Sequence, residues 1–155
     1  MPDWAEIHEQ VVEAFATGWR DPDPHAWDQL LADDVALRQP LLQNGRGRAL
    51  WQQEVGRLLE FLPDARGEVL RWAGGGDAVF IELRVDATLA GRPLSFTAVD
   101  RLRIDPAGVV QQRDSFFDPA PVAAVVVRRP SAWWSWWRSG LGPMPARRRF
   151  LEEFS

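Results

Sequence analysis

The spacing of the apolar residues changes at Pro63, and no other feature of the sequence limits the fold as strongly. Before this proline, apolar residues recur every three or four positions over residues 4–19 and 49–62. This spacing predicts two amphipathic helices, the first capped by Asp3, with a short additional helix around Trp27. After Pro63, apolar and polar residues alternate as they do along β-strands. Helices followed by successive strands predict an α+β domain.

Turns rich in glycine and proline divide the chain after Pro63 into four strand-like runs. The runs cover residues 67–73, 78–89, 94–104 and 109–118, and a brief earlier strand is predicted over residues 35–39. The connecting segments contain glycine, which adopts positive φ, or proline, which presets φ. Short connections of this kind predict an antiparallel meander.

Alternation along paired strands predicts which side chains face the core. If each of the last two turns has four residues, Leu89 lies opposite Leu94 and Ile104 lies opposite Val109. The second run then turns inward only apolar residues: Ile81, Leu83, Val85, Ala87 and Leu89. The third turns inward Leu94, Phe96, Ala98, Asp100, Leu102 and Ile104, and the fourth Val109, Gln111, Arg113, Ser115 and Phe117. One carboxylate, Asp100, therefore interrupts an apolar face, and counting from the turn places it opposite Arg113.

Two roles are open for this inward-facing Asp100. Among apolar side chains it could act as a general acid or base toward a bound ligand. It could equally form an ion pair with Arg113 that fixes the strand register inside the core. The sequence alone does not choose between the two roles.

Composition argues against several kinds of site. The chain has no cysteine, and its two histidines lie in separate segments, so we expect neither a disulfide nor a metal site. No glycine-rich phosphate-binding loop follows a strand, and we expect no cofactor. The N-terminus has no basic stretch before an apolar core, so we expect a cytoplasmic protein.

The charge is distributed unevenly along the chain. Residues 128–155 carry six arginines and two glutamates, a charge of +4. Because the formal net charge of the whole chain is −4, residues 1–127 carry −8. An acidic body opposes binding to a phosphate backbone, and we therefore expect no nucleic-acid partner.

Four segments resemble the nuclear-transport-factor-2-like superfamily and, within it, the SnoaL-like group. They are residues 32–40 (ADDVALRQP), 98–105 (AVDRLRID), 108–110 (GVV) and 113–119 (RDSFFDP). The resemblance covers about residues 5–120 and implies a cone of three N-terminal helices packed on a curved, mostly antiparallel sheet around a deep pocket. It also implies a SnoaL-like domain over residues 1–120, a Trp- and Arg-rich extension over residues 121–155, and a homodimer.

Ketosteroid isomerases of this superfamily use a tyrosine on the first helix, an aspartate base before a proline and a protonated aspartate on a central strand. Phe15 and Gln39 occupy the first two positions here, and only the central-strand carboxylate is kept, as Asp100. Because an amide cannot accept a proton at useful pH, the resemblance does not imply isomerisation of that type.

Limonene-epoxide hydrolases of the superfamily carry Arg-x-Asp on one strand and a second aspartate on the last strand. Arg84, Asp86 and Asp114 match these letters and form an alternative catalytic set. The alternation described above places all three on the outer face, because a shift of one residue reverses every side chain. Epoxide hydrolysis therefore requires β-bulges in both strands.

SnoaL-type polyketide cyclases use an aspartate on the last strand together with a polar residue on the preceding strand. Asp100 matches the preceding strand's position. The last-strand position falls at Ser115, or at Asp114 if the register differs by one.

The resemblance implies binding of an apolar polyketide-, terpenoid- or steroid-like ligand, with cyclisation or isomerisation by acid–base chemistry if the protein is an enzyme. Asp100 is the catalytic candidate, and Gln39, Arg113 and Ser115 are the candidates for polar contacts with the substrate. The candidates for the aromatic wall are Phe15, Trp19, Phe96 and Phe117. The alternative is a non-catalytic binding or dimerisation domain.

The C-terminal extension concentrates aromatic and basic residues. Its tryptophans and its arginine triplet are Trp133, Trp134, Trp136, Trp137, Arg147, Arg148 and Arg149. Such a segment can cover the mouth of a cone, cover a partner subunit or rest on a membrane surface. We expect a covering role, because an exposed tryptophan cluster promotes aggregation.

Overall fold

Helices precede strands in the computed structural model, as the change of periodicity predicts, and the structure describes residues 1–40 and 43–139. The first half contains α1 (Trp4–Arg20), β1 (Leu31–Arg38), β2 (Gly45–Arg46) and α2 (Arg48–Phe61). The meander consists of β3 (Arg66–Gly75), β4 (Ala78–Leu89), β5 (Arg92–Ile104) and β6 (Val110–Phe117). Two short helices follow, α3 (Ala120–Arg128) and α4 (Pro130–Arg138).

The six strands form one curved sheet in the order β2-β1-β6-β5-β4-β3. Neighbouring strands are antiparallel, except that β1 and β6 are parallel. The buried residues of α1 and α2 join the inward side chains of β4 and β5 in one apolar core. The α+β class and the mostly antiparallel sheet are thereby confirmed.

The prediction of three N-terminal helices is wrong, because the segment around Trp27 forms turns instead of a helix. β1 begins at Leu31 rather than at residue 35, since Leu31 already pairs with Val110 of β6. The connection between α1 and β1 therefore consists of turns. One of them is closed by a hydrogen bond from Leu30 N–H to Trp27 O at 3.0 Å. The described residues form four helices, two before the meander and two after it.

The predicted inner faces of β4 and β5 are confirmed, but the predicted register is wrong at both turns. Leu89 pairs with Arg92 across a two-residue turn, Ala90-Gly91, in which both residues have positive φ. This changes the pairing by an even number of residues, so the same side chains still face the core.

The β5–β6 pairing departs from the prediction because the last turn has one residue more than predicted and a bulge follows it. Ile104 pairs with Val110 and Arg103 pairs with Gln112, so one residue of β6 is unpaired between them. Asp100 consequently lies opposite Ser115, and Arg113 lies opposite Leu102. The predicted direct pairing of Asp100 with Arg113 is therefore wrong, although their side chains still meet diagonally.

Trp27 anchors the aromatic centre of the core. It is buried, its indole Nε1–H donates to Phe15 O at 3.3 Å, and its ring centroid lies 5.3 Å from those of both Trp19 and Trp51. This packing requires glycine on the neighbouring turn of α1, because a Cβ at Gly18 would lie 2.3 Å from Trp27 Nε1.

Gly18→Ala should therefore lower the free energy of unfolding by about 1–3 kcal/mol, because the added methyl group overpacks the core. The matched control is Gly56→Ala in α2, where the nearest atom to an added Cβ is Pro24 Cγ at 3.9 Å. There the substitution should raise the free energy by up to about 1 kcal/mol, since alanine favours a helix. Urea unfolding measures both, and equal effects at the two positions would contradict this account of Trp27 packing.

Candidate functional site

A cavity lies between α2 and the inner face of the sheet. The cavity volume, measured at the centres of water-sized spheres, is about 60 Å³, and the empty space reaches about 700 Å³ only when the open solvent at its mouth is included. Thirteen of its sixteen lining residues are apolar, and three are polar: Gln39, Arg113 and Ser115. A mainly apolar cavity with a few convergent polar groups is typical of small-molecule sites.

Six of the eight side chains predicted to form the primary site line this cavity: Gln39, Arg113, Ser115, Trp19, Phe96 and Phe117. Phe15 and Asp100 do not line it. Phe15 is buried in the core against Trp19, with ring centroids 6.5 Å apart. Asp100 is 0% exposed and contacts Arg113, which does line the cavity.

Arg113 is the charged group of the cavity wall and is held from three sides. Its Nε donates to Asp100 Oδ2 at 2.9 Å, and its Nη2 lies 2.8 Å from the same oxygen. Its Nη1 donates to Gln39 Oε1 at 2.5 Å, and its guanidinium carbon lies 4.6 Å from the centroid of the Trp51 ring. Charge-assisted hydrogen bonds and stacking on an aromatic face fix the planar guanidinium in one orientation.

The Asp100 carboxylate uses only one of its two oxygens. Oδ2 accepts from Arg113, whereas Oδ1 is buried without a hydrogen-bond partner among the described residues. A buried unpaired acceptor costs about 1–3 kcal/mol, so such an atom needs an explanation. The indole Nε1 atoms of Trp19 and Trp51, two cavity-lining residues, are likewise buried and unpaired within the described chain.

The segment after β1 that carries Gln39 is fixed by hydrogen bonds. Gln39 N–H donates to Asn44 Oδ1 at 2.8 Å, and its Nε2 donates to Gln43 O at 3.3 Å. Gln43 N–H in turn donates to Glu54 Oε2 at 2.8 Å. Gln39 is therefore oriented toward Arg113 by its own backbone environment.

Glu54 was not predicted as part of the site. It is fully buried on α2, and its Oε1 accepts from Arg57 Nη1 at 2.6 Å. A signal was present in the sequence, because Glu54 stands three residues after Trp51 and four before Leu58, on the apolar stripe of the helix. A carboxylate on such a stripe predicts a buried polar partner, here the backbone of the segment after β1.

The alternative catalytic set is not brought together in the cavity. Arg84 and Asp86 lie on the outer face of β4, where Arg84 pairs with Asp86 and with Glu68 of β3. Asp114 is buried on the outer face of β6 beneath Arg101, whose Nη2 lies 2.5 Å from its Oδ2. β4 pairs with β5 without a bulge, and the bulge in β6 leaves Asp114 on the outer face opposite Arg101, so none of these groups turns inward.

The electrostatics of Asp86 also oppose a role in protonating an epoxide. A hydrogen bond from Ser95, followed by the pairing with Arg84, holds the pKa of Asp86 below its ordinary value. A general acid at neutral pH needs the opposite shift.

The C-terminal helices complete the cavity wall. Val122 of α3 and Trp136 of α4 line the cavity, and the Trp136 ring packs edge-on against Phe61 with centroids 5.2 Å apart. The predicted contribution of Arg147, Arg148 and Arg149 lies outside the described residues. Within the described ranges, no group of three or more histidine and carboxylate side chains is placed to hold a metal ion.

The sequence was compared with protein-family models and with curated proteins. The family model for the SnoaL-like domain matches residues 12–112. No curated protein matches the sequence significantly.

Several solved structures share the fold. A protein described as a SnoaL-like polyketide cyclase from Jannaschia sp. CCS1 superposes with a TM-score of 0.71 and 18% identity, over 84% of this chain and 97% of its own. One described as a polyketide cyclase from Acidithiobacillus ferrooxidans gives 0.69 and 16%, over 79% and 95%. TerC, co-crystallised with polyporic acid, gives 0.68 and 17%, over 78% and 98%. Since the family model matches residues 12–112, more than half of the chain, the chain belongs to the SnoaL-like domain family.

Proposed function

We propose that this protein binds a small, mainly apolar molecule whose oxygen acceptor or anionic group contacts Arg113. The observation that carries the proposal is a single oriented guanidinium in the wall of a cavity whose lining residues are apolar at thirteen of sixteen positions. The apolar body of the ligand would replace water against the aromatic and aliphatic side chains, which is favourable in proportion to the area buried.

Arg113 keeps hydrogen-bonding capacity for a ligand. A guanidinium has five N–H donors. Asp100 and Gln39 take at most three of them within the described chain, through Nε, Nη2 and Nη1. The two donors left over suit a carbonyl, enol or carboxylate oxygen of the bound molecule.

Asp100 acts in this proposal as a positioning residue. It offsets the buried positive charge and orients Arg113, but it does not line the cavity. Ser115, directly opposite Asp100 on β6, supplies a hydroxyl to the same wall. Polyketide-, terpenoid- and steroid-like compounds carry the required oxygen on an apolar skeleton, and the polyporic acid bound to TerC guides the choice of probes.

Loss of the inner ion pair should weaken binding of an anionic apolar probe about tenfold or more, since a hydrogen bond to a charged group is worth about 1.5–3 kcal/mol. The variant Asp100→Asn/Arg113→Met removes both charges, so that neither is left buried and unpaired. The probes are 1-anilinonaphthalene-8-sulfonate and its uncharged counterpart N-phenyl-1-naphthylamine, both followed by fluorescence titration. The affinity for the uncharged probe should change by no more than about twofold.

The chain offers a matched control for this experiment. Arg101 and Asp114 form an equivalent ion pair on the same two strands but on the outer face. Asp114→Asn/Arg101→Met should leave both affinities within about twofold of the original chain. If the inner and outer variants bind the sulfonate equally well, Arg113 does not contact the ligand.

A second candidate function is enolisation leading to cyclisation, with Asp100 as the base. The observation that favours it is the unpaired Oδ1 of Asp100. In such a reaction the carboxylate would take an α-proton, and Arg113 would stabilise the negative charge developing on the carbonyl oxygen. Asp100 would have to reach the cavity through movement of Arg113.

Deuterium exchange into 1-tetralone, an apolar ketone with α-protons, tests this second function. If Asp100 is a base, the protein should accelerate exchange in D₂O, followed by proton NMR. Asp100→Asn should remove the acceleration while the uncharged naphthylamine still binds. If the protein without substitutions binds the probes but does not accelerate the exchange, it is a binding protein and not an enolising enzyme.

A further inference from the structure

Helix α4 has one face in the core and one face in solvent. Ala132 is buried and Trp136 lines the cavity, whereas Trp133, Trp134 and Trp137 are 55%, 72% and 62% exposed. At 3.6 residues per turn, these three positions fall within an arc of about 100° opposite the buried side. The covering role expected of the tryptophans is thus carried by Trp136, and three large indoles remain uncovered in the described chain.

Arginines lie at both ends of α4. Arg128, Arg129 and, from β5, Arg92 line one surface groove at the junction of α3 and α4. None of the three has a carboxylate within 4 Å among the described residues. Arg138, at the end of α4, lies 3.6 Å from the half-exposed carboxylate of Glu60. The basic charge of this region contrasts with the −8 carried by residues 1–127.

We propose that the outward face of α4, together with these arginines, docks on the surface of an anionic membrane. Indole rings are amphipathic and favour the headgroup layer, and arginines beside them are attracted to anionic lipids. No helix in residues 1–40 and 43–139 is long and apolar enough to cross a bilayer, so the contact is peripheral.

Charge argues for a lipid surface over a symmetric contact between two copies of the chain. A twofold interface through α4 would place Arg128, Arg129 and Arg138 of one copy near the same residues of the other. Like charges brought together in this way oppose association. An anionic lipid surface instead offers opposite charge to every arginine around the tryptophans.

The docking face is joined to the cavity through α4. Trp136 lies on the helix that carries the three exposed tryptophans, and it lines the cavity beside Phe61. If the proposed function holds, docking therefore brings the part of the cavity wall that α4 forms close to the bilayer, where apolar ligands concentrate. This last step rests on the proposed function, whereas the membrane contact does not.

Co-sedimentation of the full chain with vesicles tests the docking face. The chain should bind vesicles containing about one-third phosphatidylserine at least tenfold more tightly than vesicles of phosphatidylcholine alone, and salt should weaken the binding. Trp134→Ala/Trp137→Ala and, separately, Arg128→Gln/Arg129→Gln should each reduce that affinity about tenfold. Trp133 is left unchanged because its Nε1–H donates to Val126 O and ties α4 to α3.

The matched control removes two exposed aromatic side chains from elsewhere. Phe80 and Phe116 are exposed on the outer face of the sheet, so Phe80→Ala/Phe116→Ala should leave vesicle binding unchanged. Binding of the uncharged naphthylamine should persist in all three variants, which shows that the cavity is intact.

Three results would overturn the docking proposal. They are equal binding to both kinds of vesicle, no binding to either, and vesicle binding that is insensitive to both the tryptophan and the arginine variants. In the last case, a tryptophan variant that abolishes self-association in sedimentation velocity would assign the face to contacts between copies. Failure of the cavity proposal looks different: vesicle binding persists and neither naphthalene probe binds.

Discussion

The ion pair between Asp100 and Arg113 determines how the cavity can be used. Both side chains lie on the inner face of the sheet. Apart from Asp100, all inward-facing residues of β4 and β5 are apolar. A lone guanidinium there would be very costly to bury, and the carboxylate offsets that cost. Because Gln39 and Trp51 hold the remaining sides of Arg113, the charge is fixed at one place in the wall.

The surrounding elements serve to hold this polar centre against an apolar space. α2 supplies Trp51 beneath the guanidinium, and Glu54 one turn later binds the backbone of the segment that carries Gln39. Trp27, packed against Gly18, contacts the Trp51 ring edge-on. α3 and α4 then close part of the cavity with Val122 and Trp136. In the proposed function, a ligand would meet polar groups that are already oriented, which reduces the ordering cost of binding.

The sequence was sufficient for the faces of the sheet but insufficient for its register. Alternation alone separated Asp100 and Arg113 from Arg84, Asp86 and Asp114, because both pairings are shifted by two residues beyond the turns. Between β5 and β6 this even number is the sum of one extra residue in the turn and one in the bulge. The bulge in β6 leaves no clear mark in the sequence, so the predicted pairing of Asp100 with Arg113 failed. Asp100 was predicted to line the cavity because alternation gives a direction but not a depth, and Phe15 because it occupies the tyrosine position of the ketosteroid isomerases. Homodimerisation remains a prediction.

The central claim, that Arg113 receives the polar group of a ligand, is tested most directly by NMR on protein labelled with ¹⁵N-arginine. Titration with 1-anilinonaphthalene-8-sulfonate should shift the Nε–H resonance of Arg113 and saturate at the affinity given by fluorescence. The resonance of Arg101, on the outer face of the same two strands, should not move. Saturable binding that leaves Arg113 unshifted would contradict the account.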